Sequence, residues 1–319
     1  MSDKNYTKGI IYGVISLIFV SLEPIIANLR PEELDSIIYG AMLSIILCTF
    51  FFPLMLLEKQ RMKSKYLMQD NIIDSNDIVE PKSLFIVFKN NKKLLIYLGI
   101  NFAVAYVLFF LGYQLAGAIN GSLAQKMDLI FALVFGFLIN KEKISKTQIF
   151  FSFVLFFGLI VAVTQGSFNL IEFNLGVIIM LITVALWMSA HAITRPYLEN
   201  KKITPFQLIF IRNGITAIIL FSSYFIFRGA YFFVLLVNPI NMYFFLLMGI
   251  VYAIDLYCYY LSLSYVKITK VSILMGPSVI ITAIFATIFL SEIFTIYHLI
   301  GSIIVLMSII VIIKLKEKE

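Results

Sequence analysis

Apolar residues run in long blocks along this chain, interrupted at short intervals by brief polar stretches. The blocks lack strand-like alternation and reach the length of about 20 residues that a bilayer core of about 30 Å requires of a helix. Ten such spans fit at about 8–29, 35–57, 94–115, 119–140, 147–165, 174–195, 205–227, 241–263, 269–290 and 296–314. The longest connection between them, about 58–93, is too short to hold a soluble catalytic domain. The pattern predicts an all-α integral membrane protein with ten transmembrane helices in one bundle.

Composition agrees, with 61% hydrophobic residues and 13% charged ones, about half the charged share of a soluble domain. A formal charge of +7 raises nucleic acid as a partner, but the placement of the basic residues points to a lipid bilayer instead. With the N-terminus inside, 21 of the 25 Lys and Arg residues fall on the inner side, leaving Arg30 and Arg228 outside and Lys126 and Arg212 within spans. That distribution obeys the positive-inside rule and predicts a multi-pass cell-membrane protein with both termini cytoplasmic. The first span has no small-x-small cleavage pattern and is read as a retained helix. The 58–93 connection, basic at both ends, reads as a solvated linker or as a lipid-binding segment. Cys48 and Cys258 lie inside spans and form no disulfide framework or metal-ligand spacing, so neither metal nor cofactor is expected.

Ionisable residues inside spans carry the candidate chemistry, because a charge at the centre of a membrane helix is expensive and faces a partner or a pathway. Glu23 precedes Pro24 near the outer end of the first span, as a substrate or coupling group or as a shallow residue in reach of water. The fourth span carries Lys126 and Asp128, about 200° apart on a regular helix, so both face one ligand only if that helix is interrupted. Asp255 lies mid-span with Tyr252 and Tyr259 at helical spacing, as a substrate wall or as a structural partner of Arg212 or Lys126. Arg212, about seven residues into its span, reads as a substrate-binding cation or as a side chain that snorkels towards the cytoplasm. Trp187 reads as a cavity wall or an interfacial aromatic, and His191 as a proton shuttle or a packed residue.

The fourth span also has an echo. Residues 120–142 overlay on 270–292 when Glu142 is set on Glu292, which places Lys126 on Gly276, Met127 on Pro277 and Asp128 on Ser278. Gly276 and Pro277 weaken the ninth span at middle depth, as transporters do to expose backbone groups to a cavity. Pro24, Gly276 and Pro277 are therefore candidate hinges.

Tyr260, Pro277, Leu290, Glu292 and Gly301 in the second half, with Tyr113, Glu142 and Gly158 in the first, resemble the EamA repeat of the drug/metabolite transporter superfamily. The first half departs from it by placing Met127 in the proline slot, and each half keeps one of two glycines seven residues apart. Arg212 resembles the arginine found in the second helix of a repeat, opposite about Gly40 in the first half. The resemblance implies two five-helix repeats, 1–165 with the 58–93 cytoplasmic loop and 166–319. Five being odd, it also implies that the repeats are inverted.

The expected function is a secondary transporter that moves a small polar metabolite, an amino acid or related zwitterion, by alternating access as a monomer or homodimer. Glu23, Lys126, Asp128, Arg212 and Asp255 sum to −1 when ionised, which raises proton coupling. A drug or organic-cation exporter and a non-transport structural or sensing protein are the alternatives. An enzyme is not expected, since HExxH, a paired-aspartate motif and a GxxxxGK[ST] loop are all missing from the sequence.

Overall fold

A computed structural model describes residues 3–69, 84–141, 143–167, 174–199, 202–265, 271 and 274–316. Among them all regular structure is helical: α1 Asp3–Leu29, α2 Ser36–Gln69, α3 Leu84–Asn90, α4 Lys92–Ala116, α5 Ala118–Gln125, α6 Asp128–Asn140, α7 Lys146–Val163, α8 Leu175–Glu199, α9 Pro205–Arg228, α10 Tyr231–Val237, α11 Pro239–Tyr265, α12 Ser278–Phe289 and α13 Ile296–Lys316. Eight helical segments among the described residues are long and apolar enough to cross a membrane, with α5 and α6 forming one of them. Two apolar helices are shorter, Ser278–Phe289 and Ile296–Ile312. The ninth expected span is shortened by the turn at Gly276–Pro277, and 266–270 before it lie outside the described residues. Glu142 and the acidic middle of the 58–93 connection also lie outside them.

Helix α2 runs beyond the expected end at 57, because the polar stretch that follows is rich in helix-forming Leu, Glu, Lys, Gln and Met. Helices α7 and α9 each begin with a capping box, Ser145 with Gln148 and Thr204 with Gln207, which satisfies the first orphaned amides.

The packing repeats itself between the halves. Helix α1 packs on α11 as α4 packs on α8, and α1 packs on α12 as α6 packs on α8. Helix α4 likewise packs on α9 as α11 packs on α2, while α2 with α9, α7 with α13 and α5 with α12 join corresponding helices. Such pairing is what two structural repeats facing one another produce. At the α7–α13 crossing, a Cβ built on Gly158 lies 3.1 Å from the Gly301 carbonyl oxygen, and one on Gly301 lies 2.5 Å from that of Gly158. The glycine that each half retains thus admits the other half's backbone.

Apolar side chains cover much of the exterior, with Phe153 72% and Ile226 76% exposed. Such a surface is stable against lipid tails.

Candidate functional site

The fourth span is not one helix. After Gln125 the backbone tightens, Lys126 N–H bonding the Leu123 carbonyl at 3.1 Å and Met127 N–H the Ala124 carbonyl at 3.0 Å, before α6 starts at Asp128. Turns of this i to i−3 kind advance about 120° per residue instead of 100°, so residues two apart come closer to one face. Lys126 and Asp128 accordingly line the same cavity. Asp128 stands in the first turn of α6, where a carboxylate complements the helix dipole.

The second half breaks at the corresponding place. Gly276 and Pro277 form a turn, Pro277 lacks a donor, and α12 begins at Ser278. The two breaks meet in space, since Lys126 Nζ donates to the carbonyl oxygen of Met275 at 3.2 Å.

Asp255, on α11, reaches the same region. Ser16 on α1 donates its hydroxyl to Asp255 Oδ1 at 2.5 Å and lies 3.7 Å from Met275 Sδ. Glu23, 2% exposed, is close enough to interact electrostatically with Asp255 and Lys126, and one of its carboxyl oxygens has no hydrogen-bond partner. Lys126 in turn interacts with Asp128, Asp255 and Glu23. Four charges separated by up to 232 residues of sequence therefore converge around the two breaks.

A cavity of about 480 Å³ opens beside them, within the range of small-molecule sites. Gln125, Lys126, Asp128 and Asp255 line a polar part of it, with Gln125 held by the Tyr113 hydroxyl at 3.0 Å. Along α6 the lining continues as Ala132, Gly136 and Asn140, one residue every fourth position, so a single stripe of that helix faces the cavity. Trp187, His191, Tyr259 and Tyr260 supply aromatic walls. The Trp187 ring sits 5.3 Å from that of Phe109, and its indole Nε1 is buried without a partner.

Arg212 does not snorkel. It is 3% exposed, its guanidinium lies 3.9 Å from the centre of the Phe102 ring, and it lines the cavity with Nε unpartnered. Phe102, on α4, offers this cation the face of an aromatic ring in place of water. Among the other sequence-stated candidates, Tyr252 is not part of the cavity lining and packs edge-on to Tyr106 at 6.0 Å. Pro24 sits within the continuous helix α1, where Asn28 Nδ2 donates to its carbonyl at 2.9 Å. Ser16, Gln125, Met275 and Arg195 join the site without having been singled out from the sequence. Ser16 and Gln125 are neutral, Met275 contributes a backbone atom, and Arg195 reads as an ordinary loop cation.

The cavity reaches Asn140, Arg195 and Leu198, at the end of the bundle that carries Lys141, Lys143 and Lys146. Polar contacts tie the helices together at the opposite end. Glu33 Oε1 accepts from Asn238 Nδ2 at 3.1 Å and Asn241 Nδ2 at 2.6 Å, and Arg228 Nε lies 4.0 Å from Asp35 Oδ2. Arg30 donates there to the carbonyls of Ala27 and Leu34 and to Gln114 Oε1, the last at 2.9 Å. Burial lowers its pKa from the ordinary value, and Tyr39 and Asp35 act in the other direction. Glu292 completes this end by accepting from Ala118 N–H at 2.6 Å and Ile119 N–H at 3.0 Å. Those two amides open α5 and have no partner within their own helix.

A helical bundle for the membrane, with paired helix breaks and a polar cavity between its halves, defines a polytopic membrane protein of the transporter class. The model of the EamA-like transporter family matches residues 7–164 and 174–314, and the chain belongs to that family, within the drug/metabolite transporter superfamily. No curated protein matches the chain. A solved chain described as "Crystal structure of protein" aligns with a TM-score of 0.61 at 10% identity, covering 100% of this chain and 99% of that one. That likeness concerns the fold alone.

Proposed function

We propose that this protein is a secondary transporter for a small zwitterionic metabolite, such as an amino acid, working by alternating access. The observation that carries the reading is the cavity itself, where Lys126, Asp128 and Asp255 line one space with the unpartnered Trp187 Nε1 and Arg212 Nε. A ligand with one cationic and one anionic end satisfies both kinds of group, with the acids Asp128 and Asp255 taking the ammonium and Lys126 or Arg212 the carboxylate. Tyr259 and Trp187 supply apolar contact around it.

In this reading, residues 1–165 and 166–319 form two inverted repeats of five membrane helices, ten in all, and the site lies at their interface. Both termini and the lysine-rich end face the cytoplasm of a cell membrane. The observed state is then open inwards, with Glu33, Asn238 and Asn241 closing the outer end. Gly276–Pro277 and the Lys126–Met127 turn serve as hinges about which the cavity changes side. Glu23 joins the coupling set, since one proton taken up by the cluster brings the five intramembrane charges from −1 to zero.

Export of an organic cation is the second reading, favoured by the aromatic walls Trp187, Tyr259 and Tyr260 beside Asp128 and Asp255. Lys126, Arg195 and Arg212 in the same lining weigh against it. A thermal-stability screen of the purified protein against separate amino-acid and quaternary-ammonium panels separates the two, because a ligand that binds the folded state raises its stability. Stabilisation by amino acids that is lost in Asp128→Asn supports the first reading, and stabilisation by the ammonium panel alone overturns it.

A further inference from the structure

We infer that the bundle carries a binding groove for an anionic phospholipid on the lipid-facing side of α6 and α7, apart from the polar cavity. The groove has a volume of about 340 Å³, and Met127, Ile130, Val134, Ile144, Ile149 and Phe156 form much of its wall. Ser152 is the one polar residue of the lining, and its hydroxyl is already given to the Gln148 carbonyl at 2.9 Å. Nothing in that wall asks for a polar ligand, so a hydrocarbon chain is the occupant it suits. Val134 and Ile149 are 40% and 47% exposed, so the groove is reached from the bilayer side.

Charge at the mouth selects the headgroup. Ile144 lies in the short α6–α7 connection, which carries Lys141 and Lys143, and Lys146 opens α7; all three lysines are exposed. In the sequence Glu142 offsets one of the three lysines, so 141–146 is net positive. Basic residues at this depth attract the phosphate of an acidic lipid. The dimensions agree, since a rise of about 1.5 Å per residue sets Phe156 about 15 Å from Lys146. That is half of a hydrocarbon core of about 30 Å, the reach of one acyl chain.

The groove also lies behind the site. Met127 belongs to the helix break and to the groove wall, whereas Lys126 and Asp128 on either side of it line the cavity. A chain seated there packs against the back of the helix that carries the site.

The test is native mass spectrometry of the full chain, delipidated in detergent and offered equal amounts of phosphatidylglycerol and phosphatidylcholine with identical acyl chains. Wild type should retain phosphatidylglycerol in preference. Lys143→Gln with Lys146→Gln, both at exposed positions, should lower that preference about tenfold. Val134→Trp, which fills the groove from its exposed lip, should remove the retained lipid of both kinds. Equal retention of the two lipids by wild type overturns the proposal, as does an unchanged preference in the double variant. Should Val134→Trp fail to fold, the double variant alone decides.

Discussion

Lys126 Nζ donates to the carbonyl oxygen of Met275 at 3.2 Å, joining the helix break of one half to that of the other across 149 residues of sequence. Met275 immediately precedes the Gly276–Pro277 turn, so its carbonyl lies where the helical hydrogen-bond ladder is interrupted. A backbone group freed by a break in a membrane must find another partner. Here it finds a cation that also borders the cavity.

Removing that cation should impair selectivity before it impairs folding. Lys126→Met leaves Asp128, Asp255 and Glu23 without the cation they share, and deprives a substrate carboxylate of a partner. Binding of a stabilising amino acid should weaken by about tenfold to a hundredfold, the range of a lost charge-assisted hydrogen bond. Titration by thermal shift checks this. Loss of expressed, folded protein with Lys126→Met and Asp128→Asn alike would assign both charges a structural role.

Ser16 orients Asp255 by a 2.5 Å hydrogen bond from a fully buried position. Ser16→Ala should therefore weaken substrate binding less than Asp255→Asn does, because the hydroxyl acts through the acid. A ranking of the two affinities in the opposite order contradicts this arrangement.

Glu292 should matter for stability and little for substrate affinity. It holds the two amides that open α5, and Gly117 beside it has φ +79° with its would-be Cβ 3.0 Å from Glu292 Oε1. Glu292→Ala should lower stability by about 0.5–2 kcal/mol, as for other lost N-terminal caps. Gly117→Ala should also destabilise, through the left-handed backbone it would impose on alanine. Detergent melting curves with and without ligand report both effects, and an unchanged melting temperature for Glu292→Ala would rule out the cap.

Proton coupling predicts that uptake into vesicles rises when the side bearing substrate is made more acidic, because one proton then travels with each zwitterion. Asp255→Asn and Glu23→Gln should each reduce that response. Identical uptake with and without a gradient in wild type removes the coupling.

Much of this was visible in the sequence wherever a residue was out of place in lipid. Lys126, Asp128, Asp255 and Arg212 stand out in apolar windows, and Pro277 marks its break by chemistry alone. Met127 carries no such mark, so the break beside it was accessible only through its register with Pro277. Pairings were not legible, because Ser16 and Asp255 are 239 residues apart and the Met275 carbonyl has no sequence signature. The snorkelling alternative for Arg212 arose because its depth was counted along one helix. Phe102, on another helix, supplies the ring that keeps it inside. Tyr252 shares a helix with Asp255, yet helical spacing does not reveal which neighbour a face meets, and it meets Tyr106.

The most direct measurement is uptake of a mixture of labelled amino acids by proteoliposomes holding equal amounts of wild type, Asp128→Asn or Ile226→Ala. Ile226, on α9, is 76% exposed and lines neither the cavity nor the groove. Wild type and Ile226→Ala should accumulate at least one amino acid, and Asp128→Asn should lose it. No uptake by wild type, or equal uptake by wild type and Asp128→Asn, contradicts a transport site at the meeting of the two helix breaks.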